Sequence, residues 1–132
     1  KYVDLALKIS PDYDFVLFVA GKVHYALKDY ESAKFFLVKS WEMNPTKDVE
    51  NLLALNYLEL GDFRAANTIF LFLLEENAYN TTLLLNSAKC YEKMSDIKSA
   101  KEQLAKALEI FPEMEEASEM LARFNEAPVN ED

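Results

Sequence analysis

The chain has 132 residues, 51% hydrophobic and 28% charged, with 23 acidic and 14 basic side chains and a net charge of −9. That length suits one ordinary domain with a sizeable core, and the apolar fraction excludes a disordered chain. The acidic balance repels phosphate backbones and so argues against nucleic acid as a partner, and no apolar run approaches the roughly 20 residues of a membrane span.

Two glycines and four prolines are few interruptions, which favours long helices over many hairpins. Cys90 is the single cysteine and has no intrachain partner for a disulfide. The chain starts at Lys1 without Met and reads as a piece of a longer protein, so the lack of a leader says nothing about targeting.

In chain order, YVDLALKISP (2–11) reads as a helix closed by Pro11. Three pairs of helical stretches follow. LFVAGKVHYAL (17–27) precedes KDYESAKFFLVKSWEMNP (28–45), and ENLLALNYLEL (50–60) precedes GDFRAANTIFLFLLEENA (61–78). LLNSAKCYEKM (84–94) precedes SDIKSAKEQLAKALEIFP (95–112). The second member of each pair opens on Asp and a larger apolar residue, with Ala three positions later. Those alanines, Ala33, Ala66 and Ala100, are 33 and 34 residues apart.

The first members carry a small residue at Gly21, Ala54 and Ala88, followed three positions on by His24, Tyr57 and Tyr91. Pro45 and Pro112 close the first and third units, and Ala78 takes that slot in the second. Glu50 and Glu76 occupy slots where an apolar residue is expected. Beyond Pro112, Ala117, Met120, Leu121 and Phe124 fall at i, i+3, i+4 and i+7, one apolar stripe suited to cover an open end.

A helix–turn–helix unit recurring at this period, with these matched slots, resembles the tetratricopeptide repeat (TPR) family. The resemblance covers about three full repeats. It implies an all-α fold, a right-handed α-solenoid of helix–turn–helix TPR units. Each unit has a helix A and a helix B.

The expected organisation is helix B of a truncated preceding repeat over 1–12, repeats over 13–46, 47–80 and 81–113, a C-terminal capping helix over 114–126 and a flexible tail over 127–132. The small residues let helices approach closely. Leu17, Leu37, Trp41, Phe70, Leu74, Leu84, Leu104 and Leu108 are expected to fill the space between them.

In TIFLFLLEE (68–76), Ile69 to Leu74 are six apolar residues in a row. As helix B of the middle repeat, this stretch uses Ile69, Phe70, Leu73 and Leu74 for packing. Leu71 and Phe72 have no such use and face outward, together with Phe35 and Val38 of the preceding helix B. These four form a candidate convex interface, the alternative being scattered surface residues.

Catalytic chemistry is not expected. His24 is the single histidine, no cysteine pair exists, and zinc therefore lacks ligands. No phosphate-cradling glycine loop is present, and Glu113, Glu115, Glu116 and Glu119 cluster at one helix start, where they suit the helix dipole. No cofactor or metal is expected.

The resemblance places helix A on a concave, ligand-holding face. Phe15, Phe18, Lys22 and Tyr25 come from the first repeat. Asn51, Leu55, Leu58 and Glu59 come from the second, and Leu85, Asn86, Lys89 and Glu92 from the third. Co-chaperone domains of the family grip a terminal carboxylate with a Lys, Asn and Arg clamp. The matching slots here hold Phe18, Lys22, Leu52, Thr82 and Asn86, of which only Lys22 and Asn86 fit.

The expected function is a non-catalytic protein–protein interaction module, a scaffold or chaperone-like adaptor whose groove binds a peptide or helix of a protein partner. A neighbouring segment of the parent protein filling the groove is a second occupant to weigh. The alternative class is an assembly element, a weak homo-oligomer held through the convex patch.

Overall fold

In a computed structural model, residues 13–126 are described, and the helix expected over 1–12 and the tail over 127–132 lie outside them. Seven α-helices and no strand occur among the described residues: α1 (Tyr13–Ala26), α2 (Tyr30–Met43), α3 (Lys47–Leu60), α4 (Phe63–Glu76), α5 (Thr81–Lys93), α6 (Ile97–Ile110) and α7 (Glu115–Glu126). The chain divides after Asp62 into two compact units. In the first, α1 packs along α2 and α2 along α3; in the second, α4 packs on α5, α5 on α6 and α6 on α7.

The helix ends follow from local chemistry repeated along the chain. Lys28, Gly61 and Ser95 adopt positive φ of 64°, 85° and 65°. In each case an Asp follows, whose backbone N–H donates to the carbonyl of the aromatic slot. Asp29 donates to His24 at 2.8 Å, Asp62 to Tyr57 at 2.9 Å and Asp96 to Tyr91 at 2.8 Å. The left-handed residue donates at the same time to Tyr25, Leu58 or Glu92. This paired pattern is the Schellman ending of a helix, which satisfies carbonyls the last turn would leave open. Asp29 and Asp96 then turn round and cap the next helix, accepting from Ser32 and Ser99 N–H at 3.3 and 3.1 Å. Thr46 and Asn80 cap α3 and α5 in the same way.

Small residues sit where helices come closest. Ala33, Ala54, Ala66, Ala88 and Ala100 are wholly buried. A Cβ at Gly21 of α1 would lie 2.5 Å from Leu37 Cδ2 of α2, so glycine permits that approach. Leu17, Leu37, Phe70, Leu74, Leu84 and Leu104 are buried as expected. In the second unit Leu85, Ala88, Ala100, Leu104, Ala117, Met120 and Phe124 form one cluster, with Tyr91, Leu108, Met114 and Leu121 packed on it. The stripe of α7 thus covers apolar surface of α5 and α6.

Trp41 departs from expectation. It is 41% exposed, and its indole N–H donates to Glu50 Oε2 at 3.0 Å. Glu50 holds an apolar slot in the pattern; the polar pair moves the tryptophan outward because an indole N–H needs an acceptor. One position earlier, the buried Ser40 hydroxyl donates to the Asp14 carbonyl at 2.9 Å.

A polar network also crosses the second unit. The Ser87 hydroxyl of α5 donates to Asn67 Oδ1 of α4 at 2.7 Å and accepts from Gln103 Nε2 of α6 at 3.0 Å. All three are buried.

Two stability tests follow from these turns and this network. Nothing lies within 4 Å of a Cβ built at Gly61, so Gly61→Ala isolates the left-handed backbone cost, about 1 kcal/mol. The reverse changes, Lys28→Gly and Ser95→Gly, relieve strain and are expected to raise the melting temperature; thermal unfolding followed by circular dichroism reads both directions. Ser87→Ala leaves the Asn67 and Gln103 groups without their shared partner, and each lost buried bond is expected to cost roughly 1–3 kcal/mol. A urea midpoint equal to the parent's for Ser87→Ala would show that the network does not contribute.

Candidate functional site

In the first unit, α1 and α3 present an open cleft of about 400 Å³ lined by Phe18, Lys22, Tyr25, Asp48, Asn51 and Leu52. The helix period explains the grouping. Phe18, Lys22 and Tyr25 are successively four and three residues apart on α1, and Asn51 and Leu52 lie three and four residues after Asp48 on α3, so each set shares a face. Four residues singled out from the sequence (Phe18, Lys22, Tyr25 and Asn51) therefore share this cleft. Asp48 was missed, though its i, i+3 spacing to Asn51 signals it.

The side chains in the cleft are arranged. Lys22 Nζ stands 5.2 Å from the Phe18 ring centroid, a cation held over an aromatic face. The Tyr25 ring meets Tyr30 edge-on at 5.5 Å. Burial, then the Glu59 carboxylate and the Tyr30 phenol, raise the Tyr25 phenol above its ordinary value. Tyr25 therefore stays a neutral hydroxyl, a donor as well as an acceptor, through the physiological range. Phe15 is 59% exposed on α1, while Leu55 and Leu58 are half-buried on α3; none of these lines the cleft.

The residues singled out on α5 have other surroundings. Leu85 is packed in the core of the second unit with Leu104 and Phe124 and offers little surface to a ligand. Asn86 is 9% exposed. The Lys89 ammonium pairs with Glu116 of α7 at 2.8 Å, and Arg123 of α7 pairs with Glu92 at 2.6 Å. Two ion pairs thus tie the polar edge of α5 to the last helix.

The four residues of the expected convex interface are exposed or half-buried. On α2, Phe35 is 55% exposed and lines a shallow groove with Val38, under the Lys39 ammonium at 5.6 Å from its ring. On α4, Phe72 is 51% exposed, and Leu71 borders a separate cleft with Leu74, Tyr79, Leu84, Lys106 and Ile110.

The groups weighed for chemistry are placed as follows. His24 stacks on Phe36 at 5.2 Å, with Nδ1 3.4 Å from Asp29 Oδ2. Burial pushes the Cys90 thiol up to about 12, so it stays protonated and a poor nucleophile at neutral pH. Among the described residues no group of His, Cys, Asp and Glu is placed to hold a metal ion, and no helix is long and apolar enough to cross a membrane.

Comparison with known proteins accords with this architecture. One Tetratricopeptide repeat sequence model matches residues 57–124 and another matches 16–47. No curated protein matches the chain. Solved structures do. The first TPR of Spaghetti (RPAP3), bound to the HSP90 peptide SRMEEVD, is 19% identical with a TM-score of 0.75, over 85% of this chain and 90% of that one. MamA is 18% identical with a TM-score of 0.82, over 94% and 73%. PcrH in complex with the chaperone binding region of PopB is 14% identical with a TM-score of 0.68, over 89% and 95%. At these identities the structures speak to fold, while the sequence models cover more than half of the chain: it belongs to the tetratricopeptide repeat family.

Proposed function

We infer that the chain is a non-catalytic protein-interaction module, a scaffold or chaperone-like adaptor that binds an extended peptide or a helix of a partner on its A-helix face. The observation that carries this reading is the cleft of Phe18, Lys22, Tyr25, Asn51 and Leu52. It combines an aromatic and aliphatic floor with a few hydrogen-bonding groups, the composition that suits a peptide with apolar anchors. The Asn51 amide has both a donor and an acceptor for a ligand backbone. Structural neighbours that hold the HSP90 peptide SRMEEVD, the HSP70 peptide SGPTIEEVD or the chaperone binding region of PopB lend support by analogy. Tight helix ends and paired polar groups supply a rigid frame, which limits the ordering cost of binding.

The test is selection of peptide ligands from a random library, then binding measured by fluorescence anisotropy. Phe18→Ala and Asn51→Ala are expected to weaken the selected ligands about tenfold or more while leaving the far-ultraviolet spectrum unchanged. Ligands that bind both variants as tightly as the parent would remove the cleft as the site.

The exposure of Phe35 and Phe72 favours a second reading, weak self-association through outward residues of α2 or α4. Burying one such side chain contributes ~1.5–3 kcal/mol, against ~4–15 kcal/mol for association and the repulsion of two chains of net charge −9. Sedimentation should therefore show a weak dimer that strengthens with salt and is lost in Phe35→Lys or in Leu71→Lys/Phe72→Glu. A monomer at every concentration and salt would end this reading.

A further inference from the structure

We propose that the cleft between α1 and α3 takes a basic peptide with an apolar anchor, a segment in which lysine or arginine flanks a large aliphatic or aromatic residue, and that it rejects acidic carboxyl-terminal peptides. The proposal rests on the groove reading above and adds the chemistry of the occupant.

A peptide whose last residues carry two glutamates, an aspartate and a free terminal carboxylate needs several cations converging on it. The peptides held by two structural neighbours, SRMEEVD and SGPTIEEVD, are of that kind. The described residues of this cleft supply one cation. Among the described residues Lys22 is the one basic residue of the lining, and its ammonium stands over the Phe18 ring. Asp48 lines the same cleft from α3, while Glu59 of α3 lies outside the lining and its carboxylate raises the Tyr25 phenol.

The surroundings have the same sign. Residues 13–62 carry eight carboxylates and five lysines, and the whole chain is −9. Within the lining Lys22 and Asp48 offset one another, so the excess of carboxylates around the cleft sets the sign: it repels an anionic ligand and attracts an ammonium or guanidinium, which also meets an aromatic face at Tyr25. Leu52 and the Phe18 ring remain as the floor for the anchor.

The test uses the whole chain and labelled heptapeptides with blocked ends and a central Leu or Phe. Flanks are all Lys/Arg, all Ser or all Asp/Glu, and SRMEEVD with its free carboxylate is a fourth probe. The Lys/Arg set is expected to bind at least tenfold more tightly than the Ser set, with the acidic set and SRMEEVD weaker still. Asp48→Asn/Glu59→Gln is expected to abolish that preference. Glu31→Gln/Glu42→Gln removes the same charge from α2, outside the cleft, and is expected to keep it. If the double variant fails to fold, Asp48→Asn alone, at an exposed position of the lining, gives the same comparison.

The proposal is overturned if the acidic or serine peptides bind as tightly as the basic ones, if no peptide binds, or if the α2 control loses the preference equally. Phe18→Ala separates the two levels. Basic peptides that bind this variant undiminished overturn the groove reading. Acidic peptides that bind best, and lose affinity in this variant, overturn the charge assignment and leave the groove in place.

Discussion

A left-handed residue followed by an aspartate ends α1, α3 and α5, and the helical frame depends on that turn. The N–H of the aspartate closes the preceding helix on the carbonyl of His24, Tyr57 or Tyr91. At two of the three turns the same aspartate's carboxylate opens the next helix. One residue thus satisfies an orphan carbonyl on one side and orphan amides on the other, with no slack between the helices. Glycine fills the left-handed position only once. Lys28 and Ser95 adopt it against their own preference, so the surrounding bonds over-determine the turn.

Given those turns, small residues decide how closely helices approach. The space left by Gly21 is taken by Leu37, whose side chain is fully buried. The larger residues Leu17, Leu37, Phe70, Leu74, Leu84 and Leu104 are then buried alongside the alanines. Several buried polar side chains are bonded, Ser40 to the Asp14 carbonyl, Asn56 through its amide N–H to the Tyr30 carbonyl, and Ser87 to Asn67 and Gln103. Such sets favour a single arrangement, since any shift of a helix would strand a buried donor.

The surface that remains is uneven in its chemistry. Along α5 the charged edge is spent on α7, through Lys89 with Glu116 and Glu92 with Arg123. Along α1 and α3 the cleft keeps Asn51, the Tyr25 hydroxyl and the Asp48 carboxylate on an apolar floor. Recognition in a repeat of this kind resides in such side chains and not in the fold, so the shared architecture of peptide-binding neighbours leaves the choice of ligand open to local charge.

Much of this architecture was legible from spacing alone. The period of 33 and 34 residues in Ala33, Ala66 and Ala100, and the aspartate ahead of each, pointed to the helix starts, because capping and turn chemistry act over a few neighbouring residues. The outward placement of Phe72 beside buried Leu73 and Leu74 followed from helical angle. What the sequence did not contain was the fate of side chains whose partners lie far along the chain. Lys89 reads as a free groove residue until α7 brings Glu116 to it, and Leu85 reads as groove floor until Phe124 and Met120 close over it. Trp41 reads as core until Glu50 draws its indole outward. Periodic local chemistry determined where helices begin, end and bury a face. Only tertiary packing decided which polar and apolar groups on those faces were already engaged, because each such pairing joins residues that no repeat period relates.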